Sequence, residues 1–349
     1  MRRVVLVVCT FAVAACGGSS TGTPDAGGLD AAAGDTAAAD DAAPAADAAP
    51  ADGPRVSPTL AEDLPTPLPT GAPNVKVANF NAALIPTIKG AAQRLPLVVE
   101  AVKGLDADVL CMEEVWLSYT SQEQVAAQVA TTFPYAWWQE ERTAAAGNGV
   151  LILSKHPLYR GRDLTYTVQD FPATLRRKLL GVDVVTPDAH FHVMCTHIAS
   201  TYDATGQTQR LAQIAELNTF ATAQGYAAGP TFLLGDFNTG PDPIGTCEAE
   251  TPPCLAADLV SYNKLLETWT DPNADWNQCT WCREAALPMQ VGTDNSADSR
   301  IDHCMYQAIA PATFKGRSLI FDAEINLTVG TSTIKHLSDH YGIRCEFGP

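Results

Sequence analysis

The chain has 349 residues, of which 39 are acidic and 22 are basic, and its formal net charge at pH 7 is −17. Proteins that bind long nucleic acids usually present a basic face, because contacts with phosphates supply most of their affinity. The acidic balance therefore argues against a protein that binds long nucleic acids.

The N-terminus has the pattern of an export signal. Arg2 and Arg3 precede an apolar stretch that is too short to cross a bilayer as a mature helix. Small residues then lead to Cys16, as in the lipobox of bacterial lipoproteins, so we expect residues 1–15 to be cleaved and Cys16 to carry a lipid. The alternative is an ordinary secretory signal in which Cys16 is incidental. Either way we expect an exported protein, held in the cell envelope as a lipoprotein or secreted.

Residues 16–73 consist mostly of Ala, Asp, Pro, Gly, Ser and Thr. Such a composition buries too little apolar area to offset the entropy lost on ordering, so we expect a disordered segment. Spaced Asp and repeated Pro keep a chain extended, which predicts a tether between a membrane anchor and a catalytic domain. An interaction tail is the alternative interpretation.

The remaining segment, residues 74–349, has the length of one large domain and contains more predicted strands than helices. A capping-box pattern, Ser121-x-x-Gln124, predicts a helix that begins there and extends to about residue 130. The other predicted helices cover residues 91–103, 210–223 and 255–266. The predicted strands cover residues 75–80, 107–112, 135–139, 149–154, 158–168, 175–186, 190–196, 231–234, 301–306, 318–321, 324–329 and 341–347.

Several of these apolar runs are followed by polar side chains of the kinds that serve metal-assisted phosphoester hydrolysis. Burying such groups near one another costs several kcal/mol unless they serve a site. The segments are V-A-N-F-N, V-L-C-M-E-E-V-W, V-M-C-T-H, L-L-G-D-F-N, R-I-D-H and S-D-H-Y-G. The candidate residues are Asn81, Glu114, His197, Asp236, Asn238, Asp302, Asp339 and His340.

These segments resemble, in content and order, those of the endonuclease/exonuclease/phosphatase superfamily. The resemblance extends from about residue 74 to the C-terminus. It implies an α+β fold, the DNase I-like four-layer α/β/β/α sandwich of two packed mixed sheets. It also implies a magnesium-dependent phosphoric ester hydrolase, with Mn²⁺ or Ca²⁺ as alternative metals.

For the metal, the resemblance implies Glu114 as the carboxylate ligand and Asn81 as an amide ligand on the same side. Their neighbours Glu113 and Asn79 are the rival assignments, and the match to the family patterns favours Glu114 and Asn81. One carboxylate plus water suits Mg²⁺, which keeps much of its hydration shell. Asp339 is expected to bind a second metal or to fix its loop.

For the chemistry, the resemblance implies His340 as the general base, oriented by Asp302 in an Asp-His dyad. Asp236 is expected to orient the attacking water or to act as an alternative base. Asn238 and His197 are expected to hydrogen-bond the phosphoryl oxygens. The histidines outside the motifs are expected at the surface, and they are His156, His190, His192 and His336.

The substrate is less constrained than the reaction. The terminal S-D-H-Y-G and the helix at residues 209–217 resemble the sphingomyelinase branch, which implies a phospholipid head group or a small phosphodiester. However, residues 307–335 contain only Phe314 and Phe321 as aromatics, whereas haemolytic sphingomyelinases carry an aromatic hairpin there. The alternatives are an extracellular nuclease of the same fold and a non-catalytic surface-binding protein. We expect a monomer that meets the membrane through its lipid.

Cysteines in an exported protein are read first as disulfides. Besides Cys9 and Cys16, the chain has eight of them. We expect one disulfide between Cys247 and Cys254 and another between Cys279 and Cys282, with a metal or redox site as the alternative for the latter. The pairing of the others stays open, and these are Cys111, Cys195, Cys304 and Cys345.

Overall fold

A computed structural model describes residues 60–85, 88, 90–116, 120–139, 147–171, 174–201, 204–241, 256–287 and 298–349. The predicted signal peptide, the lipidation site Cys16 and the predicted pair of Cys247 and Cys254 lie outside the described residues. Among the described residues, no helix has the length and apolar character that a membrane crossing requires.

Six strands form the first sheet. They are β1 (Val75–Leu84), β2 (Val109–Val115), β3 (Tyr135–Trp137), β4 (Leu151–Ser154), β10 (Thr313–Ile320) and β13 (Gly342–Gly348). Their order is β10-β13-β1-β2-β4-β3, in which β1 and β2 are parallel and the other pairs are antiparallel. The sheet is therefore mixed.

The second sheet contains five strands in sequence order. They are β5 (Leu158–Thr165), β6 (Lys178–Val185), β7 (His190–His197), β8 (Thr231–Asp236) and β9 (Asp302–Gln307). Only β7 and β8 run parallel, so this sheet is mixed as well. The remaining described strands are β11 (Leu327–Val329) and β12 (Ser332–Ile334), which form a hairpin. The described helices are α1 (Ala91–Lys103), α2 (Gln122–Val129), α3 (Ala204–Ala223) and α4 (Ala256–Leu266), with short 3-10 helices at Tyr226–Ala228 and Arg283–Ala285.

Both faces of each sheet are covered, which explains why the central strands are almost continuously apolar. Side chains of alternate residues, such as Val77 on β1 and Phe232 on β8, meet in a core between the two sheets. Phe80 and its neighbours on the opposite face of β1 pack against residues of α1 and α2. Met194 on β7 lies in a third cluster with residues of α3 and α4. The four-layer α/β/β/α sandwich is thereby confirmed.

Two disulfides lie among the described residues. Cys111 on β2 and Cys195 on β7 form a bond that crosses the core, which we call the inter-sheet disulfide. The predicted bond between Cys279 and Cys282 is confirmed. Two further cysteines, Cys304 and Cys345, are buried free thiols.

Local signals in the sequence account for several boundaries. The capping box is confirmed, because the Gln124 N–H donates to Ser121 Oγ while the Ser121 N–H donates to Gln124 Oε1. Helix α3 begins six residues earlier than predicted. The single strand predicted at residues 324–329 is instead the short hairpin β11–β12, whose turn contains Gly330 at φ +58°.

The last part of the predicted tether packs on the domain. Arg160 donates its backbone N–H to the Ala61 carbonyl, and Arg162 forms a bidentate ion pair with Glu62. Leu60 contacts the core between the sheets. The ordered domain therefore begins before residue 74, because a few contacts hold residues 60–73 despite their Pro-rich composition.

Two of the histidines expected at the surface are buried. His192 lies on β7 under Tyr226, whose ring stacks on the imidazole at 4.6 Å. His336 contacts Tyr341 at 5.2 Å between ring centroids. Both predictions were wrong, because an aromatic neighbour covers each imidazole and such tertiary contacts are invisible in a local pattern.

Candidate active site

The strand ends meet at one edge of the sandwich, because parallel neighbours direct their carboxyl ends to the same side. On the first sheet Asn81 pairs with Glu113 across β1 and β2. On the second sheet His197, Asp236 and Asp302 lie side by side at the ends of β7 and β8 and the start of β9. The structure thus brings the predicted polar residues of both sheets to a common edge.

His340 and Asp302 form a hydrogen-bonded pair in this cluster. His340 Nδ1 lies 2.8 Å from Asp302 Oδ2, and both side chains are buried. Burial alone would lower the pKa of His340, but the carboxylates of Asp302, Asp339 and Asp236 outweigh it and hold that pKa well above its usual range. The Asp302 carboxylate fixes the imidazole so that Nε2 is left for a proton transfer.

Asn79 holds the other oxygen of the same carboxylate. Its Nδ2 donates to Asp302 Oδ1 at 3.1 Å. The sequence pattern makes Asn79 only a rival to Asn81 as a metal ligand. The signal that could have found it is the spacing of two along β1, which places Asn79 and Asn81 on the same face.

The loop closed by Cys279 and Cys282 supports both members of the pair. Thr280 Oγ1 accepts the backbone N–H of Asp302 and of the residue before it, each at 3.1 Å. The Tyr341 N–H donates to the Thr280 carbonyl at 2.6 Å. The hydroxyl and the carbonyl of Thr280 therefore connect this disulfide loop to the segments that carry Asp302 and His340.

Asp236 lies at the centre of the cluster and contacts several of its members. Its Oδ2 accepts from Asn81 Nδ2 at 2.9 Å and lies 3.5 Å from His197 Nε2 and 3.9 Å from His340 Nε2. Its Oδ1 accepts the Asn238 N–H at 2.8 Å, which is the turn expected for G-D-F-N. Burial and the nearby Asp302 raise the pKa of Asp236 to about 7. It is therefore a proton acceptor or donor near neutral pH.

His197 is a neutral imidazole in a buried position. Burial lowers its pKa well below the usual range, and the positive charges of Arg177 and His340 act in the same direction. Its Nδ1 is buried and has no hydrogen-bond partner among the described residues. A buried polar atom without a hydrogen bond lowers the stability of the fold, which is consistent with a contact that forms in the substrate complex.

Asn238 adopts a left-handed backbone conformation, φ +45°, which asparagine tolerates better than most residues. Its Nδ2 donates to the Ile198 carbonyl at 3.1 Å, across the ends of β7 and β8. This bond connects the turn after β8 to the residue that follows β7.

The two glutamates at the end of β2 differ in their environments. Glu113 is fully buried, and its Oε1 lies 2.7 Å from Cys111 Sγ. Burial and the carboxylates of Asp302 and Asp236 raise the pKa of Glu113 well above its usual value. Glu114 is half-buried at φ +56°, which turns its side chain away from the regular alternation.

The serine of the S-D-H segment anchors it to β1. Ser338 Oγ donates to the Asn81 carbonyl at 2.7 Å and lies 3.1 Å from Asp339 Oδ1. From α1, the buried guanidinium of Arg94 donates to the Leu337 carbonyl and to two carbonyls of β1. Arg94 is a supporting residue that no local pattern in the sequence indicated.

The donors at this edge fit a hard divalent cation, which prefers oxygen ligands. Glu114 is half-buried, and no described residue hydrogen-bonds to its carboxylate or pairs with it. Asn81 is committed elsewhere, because its Oδ1 accepts the Ala83 N–H while its Nδ2 holds Asp236. A second arrangement of donors exists, since ligand atoms of Asp236, Asp302 and His340 all lie within 4.8 Å of one another.

Comparison with known proteins assigns the family. A model of the Endonuclease/Exonuclease/phosphatase family matches residues 78–340. Sphingomyelin phosphodiesterase 2 of Homo sapiens is 25% identical over 247 residues, which are 68% of this chain and 56% of that protein. The chain thus spans about half the length of the curated relatives it matches.

Two solved structures show the same architecture. A beta toxin variant from Staphylococcus aureus with bound magnesium ions has a TM-score of 0.56 and 15% identity, covering 78% of this chain and 99% of that one. D. rerio TDP2 complexed with a single-strand DNA product has a TM-score of 0.58 and 15% identity, covering 79% and 99%. At this identity the likeness establishes the fold alone. Because the family model spans most of the domain and all the candidate site residues, this chain belongs to the endonuclease/exonuclease/phosphatase family.

Proposed function

We propose that the protein is an exported, divalent-metal-dependent phosphodiesterase. The observation that supports this most directly is the arrangement around Asp236. The buried His340–Asp302 pair and the neutral His197 both direct a ring nitrogen to its Oδ2, at 3.9 Å for His340 and 3.5 Å for His197. A general base, its orienting carboxylate and a neutral donor are the groups that hydrolysis of a phosphodiester requires.

In this proposal His340 Nε2 removes a proton from the attacking water, while Nδ1–H remains bound to Asp302. Asp236 orients that water. With a pKa of about 7, its carboxyl group can also hold a proton near neutral pH. His197 and Asn238 donate hydrogen bonds to phosphoryl oxygens. These contacts act where negative charge develops, and a buried site makes them stronger than they are in water.

The metal is proposed to be Mg²⁺, held by Glu114, with Asn81 and Asp339 as further ligands after rotation of the Asn81 amide. When bound, it would neutralise charge on the phosphoryl oxygens and on the leaving group. Mn²⁺ or Ca²⁺ can replace Mg²⁺ at an oxygen-rich site, subject to differences in size and hydration.

The proposed substrate is a phospholipid head group or a small phosphodiester. The similarity to sphingomyelin phosphodiesterase 2 supports a sphingomyelinase-like activity. The acidic net charge disfavours long nucleic acids.

We further propose that a lipid on Cys16 anchors the protein in the cell envelope, which would keep it close to lipid substrates. Replacing Cys16 by Ser should release the protein from the membrane fraction or block its processing, and unchanged fractionation would favour an ordinary secretory signal.

The purified protein should be assayed with Mg²⁺ against sphingomyelin, a lysophospholipid, inositol phosphates and plasmid DNA, with a chelator as the control for metal. His340→Ala is the inactive variant, and His156→Ala is the matched control, since His156 pairs with Asp108 outside the cluster. Hydrolysis of a phospholipid or small diester that needs metal and His340 supports the proposal. Selective cleavage of plasmid DNA would favour the nuclease, and no hydrolysis of any of them would favour the non-catalytic binding protein.

A further inference from the structure

A second group of possible metal ligands lies on the outer face of the second sheet. His190 and His192 are two apart on β7, so their imidazoles project from the same face of the strand. Asp183 on β6 is the direct antiparallel partner of His192. One ligand atom from each of these three side chains lies within 4.8 Å of the other two.

The atoms converge on one carboxylate oxygen. His190 Nε2 is 2.6 Å and His192 Nδ1 is 3.0 Å from Asp183 Oδ1. The His192 Nδ1 atom is buried, and its contact with the carboxylate lacks the geometry of a hydrogen bond. The side chain of His192 is only 9% exposed, whereas that of His190 is 17% exposed. The cluster is thus enclosed on one side and open to solvent at His190.

A guanidinium completes the surroundings. Arg160 donates to both oxygens of Asp183, from Nε at 2.9 Å and from Nη2 at 2.6 Å. The Asp183 carboxylate therefore contacts two imidazoles and one guanidinium, and Arg160 would compete with a metal for its negative charge.

We propose that Asp183, His190 and His192 form a second metal site, which binds Zn²⁺. Two imidazole nitrogens and one carboxylate oxygen suit Zn²⁺, with water as a fourth ligand on the open side. Binding requires a lone pair on His190 Nε2 and on His192 Nδ1, so each ring carries its proton on the other nitrogen. Tyr226, stacked on His192, would hold that ring in place.

This site is separate from the proposed catalytic metal. His192 and His197 are five residues apart on the same strand, which corresponds to roughly 17 Å. A metal at the first of these positions would not reach a substrate at the second. Its effect would be structural, because it would link β6 to β7, the strand that ends at His197.

The direct test is calorimetry of the purified protein with Zn²⁺ in millimolar Mg²⁺, which occupies oxygen-rich sites. One Zn²⁺ per chain is expected, and Co²⁺ should give the visible absorption of a four-coordinate site. His190→Ala and His192→Ala should each weaken Zn²⁺ binding by at least about tenfold. His156→Ala is the matched control and should bind as the wild type does. A zinc-dependent rise in Tm should accompany binding, since a ligand of the native state stabilises it.

The variant Arg160→Gln distinguishes a metal site from a purely structural polar network. Removing the guanidinium should tighten Zn²⁺ binding, because a positive charge on the shared carboxylate is lost. If the cluster is only a structural polar network, Arg160→Gln should lower the free energy of unfolding and should not raise the affinity for Zn²⁺. The proposal is overturned if the wild type binds no Zn²⁺ under these conditions, or if His190→Ala binds Zn²⁺ as tightly as the wild type does. Loss of binding in His340→Ala with retention in His190→Ala would assign the Zn²⁺ to the active site instead. The Co²⁺ spectrum of the wild type remains informative even if a variant fails to fold.

Discussion

The pairing of His340 with Asp302 makes a quantitative prediction about a double-mutant cycle. Asp302 Oδ2 contacts Nδ1 of the imidazole at 2.8 Å, and its other oxygen is held by Asn79. In this arrangement the carboxylate supports the proposed general base through its contact with the imidazole. Asp302→Asn and His340→Ala should therefore remove overlapping contributions.

The expected magnitudes follow from general-base catalysis. Loss of His340 should lower kcat by about 10²–10⁴-fold, which is about 2.7–5.5 kcal/mol of activation free energy. Asp302→Asn should fall in the same range. If the two residues acted independently, the double variant would lose about 10⁴–10⁸-fold, whereas residues acting as a unit should leave it within about tenfold of His340→Ala.

The assay is turnover of a chromogenic phosphodiester at saturating Mg²⁺, with circular dichroism to verify folding. Asn79→Ala is the matched control, because it removes one hydrogen bond to the same carboxylate and should cost only about fivefold, from a bond of about 1 kcal/mol. A double variant that loses the full product of the two single factors would refute the dyad. Full turnover in Asp302→Asn would refute it as well.

Four further predictions test the site and its support. Glu114→Gln should weaken Mg²⁺ binding in calorimetry and lower turnover at low Mg²⁺, and wild-type turnover there would remove Glu114 from the metal site. Thr280→Ala should lower kcat by up to about 10²-fold, since it releases the Asp302 N–H, whereas Thr280→Ser should restore it. The rate should rise with pH, and the midpoint of this rise should lie above the usual histidine pKa of about 6.5, because His340 must lose its proton and its pKa is raised. If the same rise persists in His340→Ala, another group is the general base. Removing the inter-sheet disulfide, which spans 84 residues, should lower the free energy of unfolding by about 4.6 kcal/mol in denaturant titrations, and an unchanged midpoint would contradict the loop-entropy argument.

The sequence was sufficient to predict the sandwich and the residues that meet at its edge. Each motif follows an apolar run, and the parallel pairs β1–β2 and β7–β8 direct those runs to the same side. The local pattern could not decide which polar residues near the end of a strand face the other sheet. The pattern makes Asn79 and Asn81 rivals, yet both side chains point toward the other sheet, where Asn79 holds Asp302 and Asn81 holds Asp236. Only the juxtaposition of the two sheets reveals these partners.

Tertiary contacts also explain the remaining differences. Arg94 and Thr280 support the site through backbone carbonyls and N–H groups, and such contacts leave no signature in side-chain spacing. The burial of His192 depends on Tyr226, which is more than thirty residues away in the chain. Residues 60–73 have the composition of a tether, but a few contacts with β5 and with the turn before β7 hold them.

The charge balance of the cluster connects the fold to the proposed chemistry. Four buried carboxyl groups, those of Glu113, Asp236, Asp302 and Asp339, lie near the imidazole of His340. One imidazolium cannot stabilise so many ionised carboxylates in a desolvated space, so the pKa values of Glu113 and Asp236 rise. A protonated Glu113 can donate to the sulfur that lies 2.7 Å from it, whereas an ionised one would have no donor there. The inter-sheet disulfide thus borders a neutral carboxyl group at the base of the site, and the remaining negative charge lies at Asp236 and Asp302, where a proton or a divalent cation can compensate it.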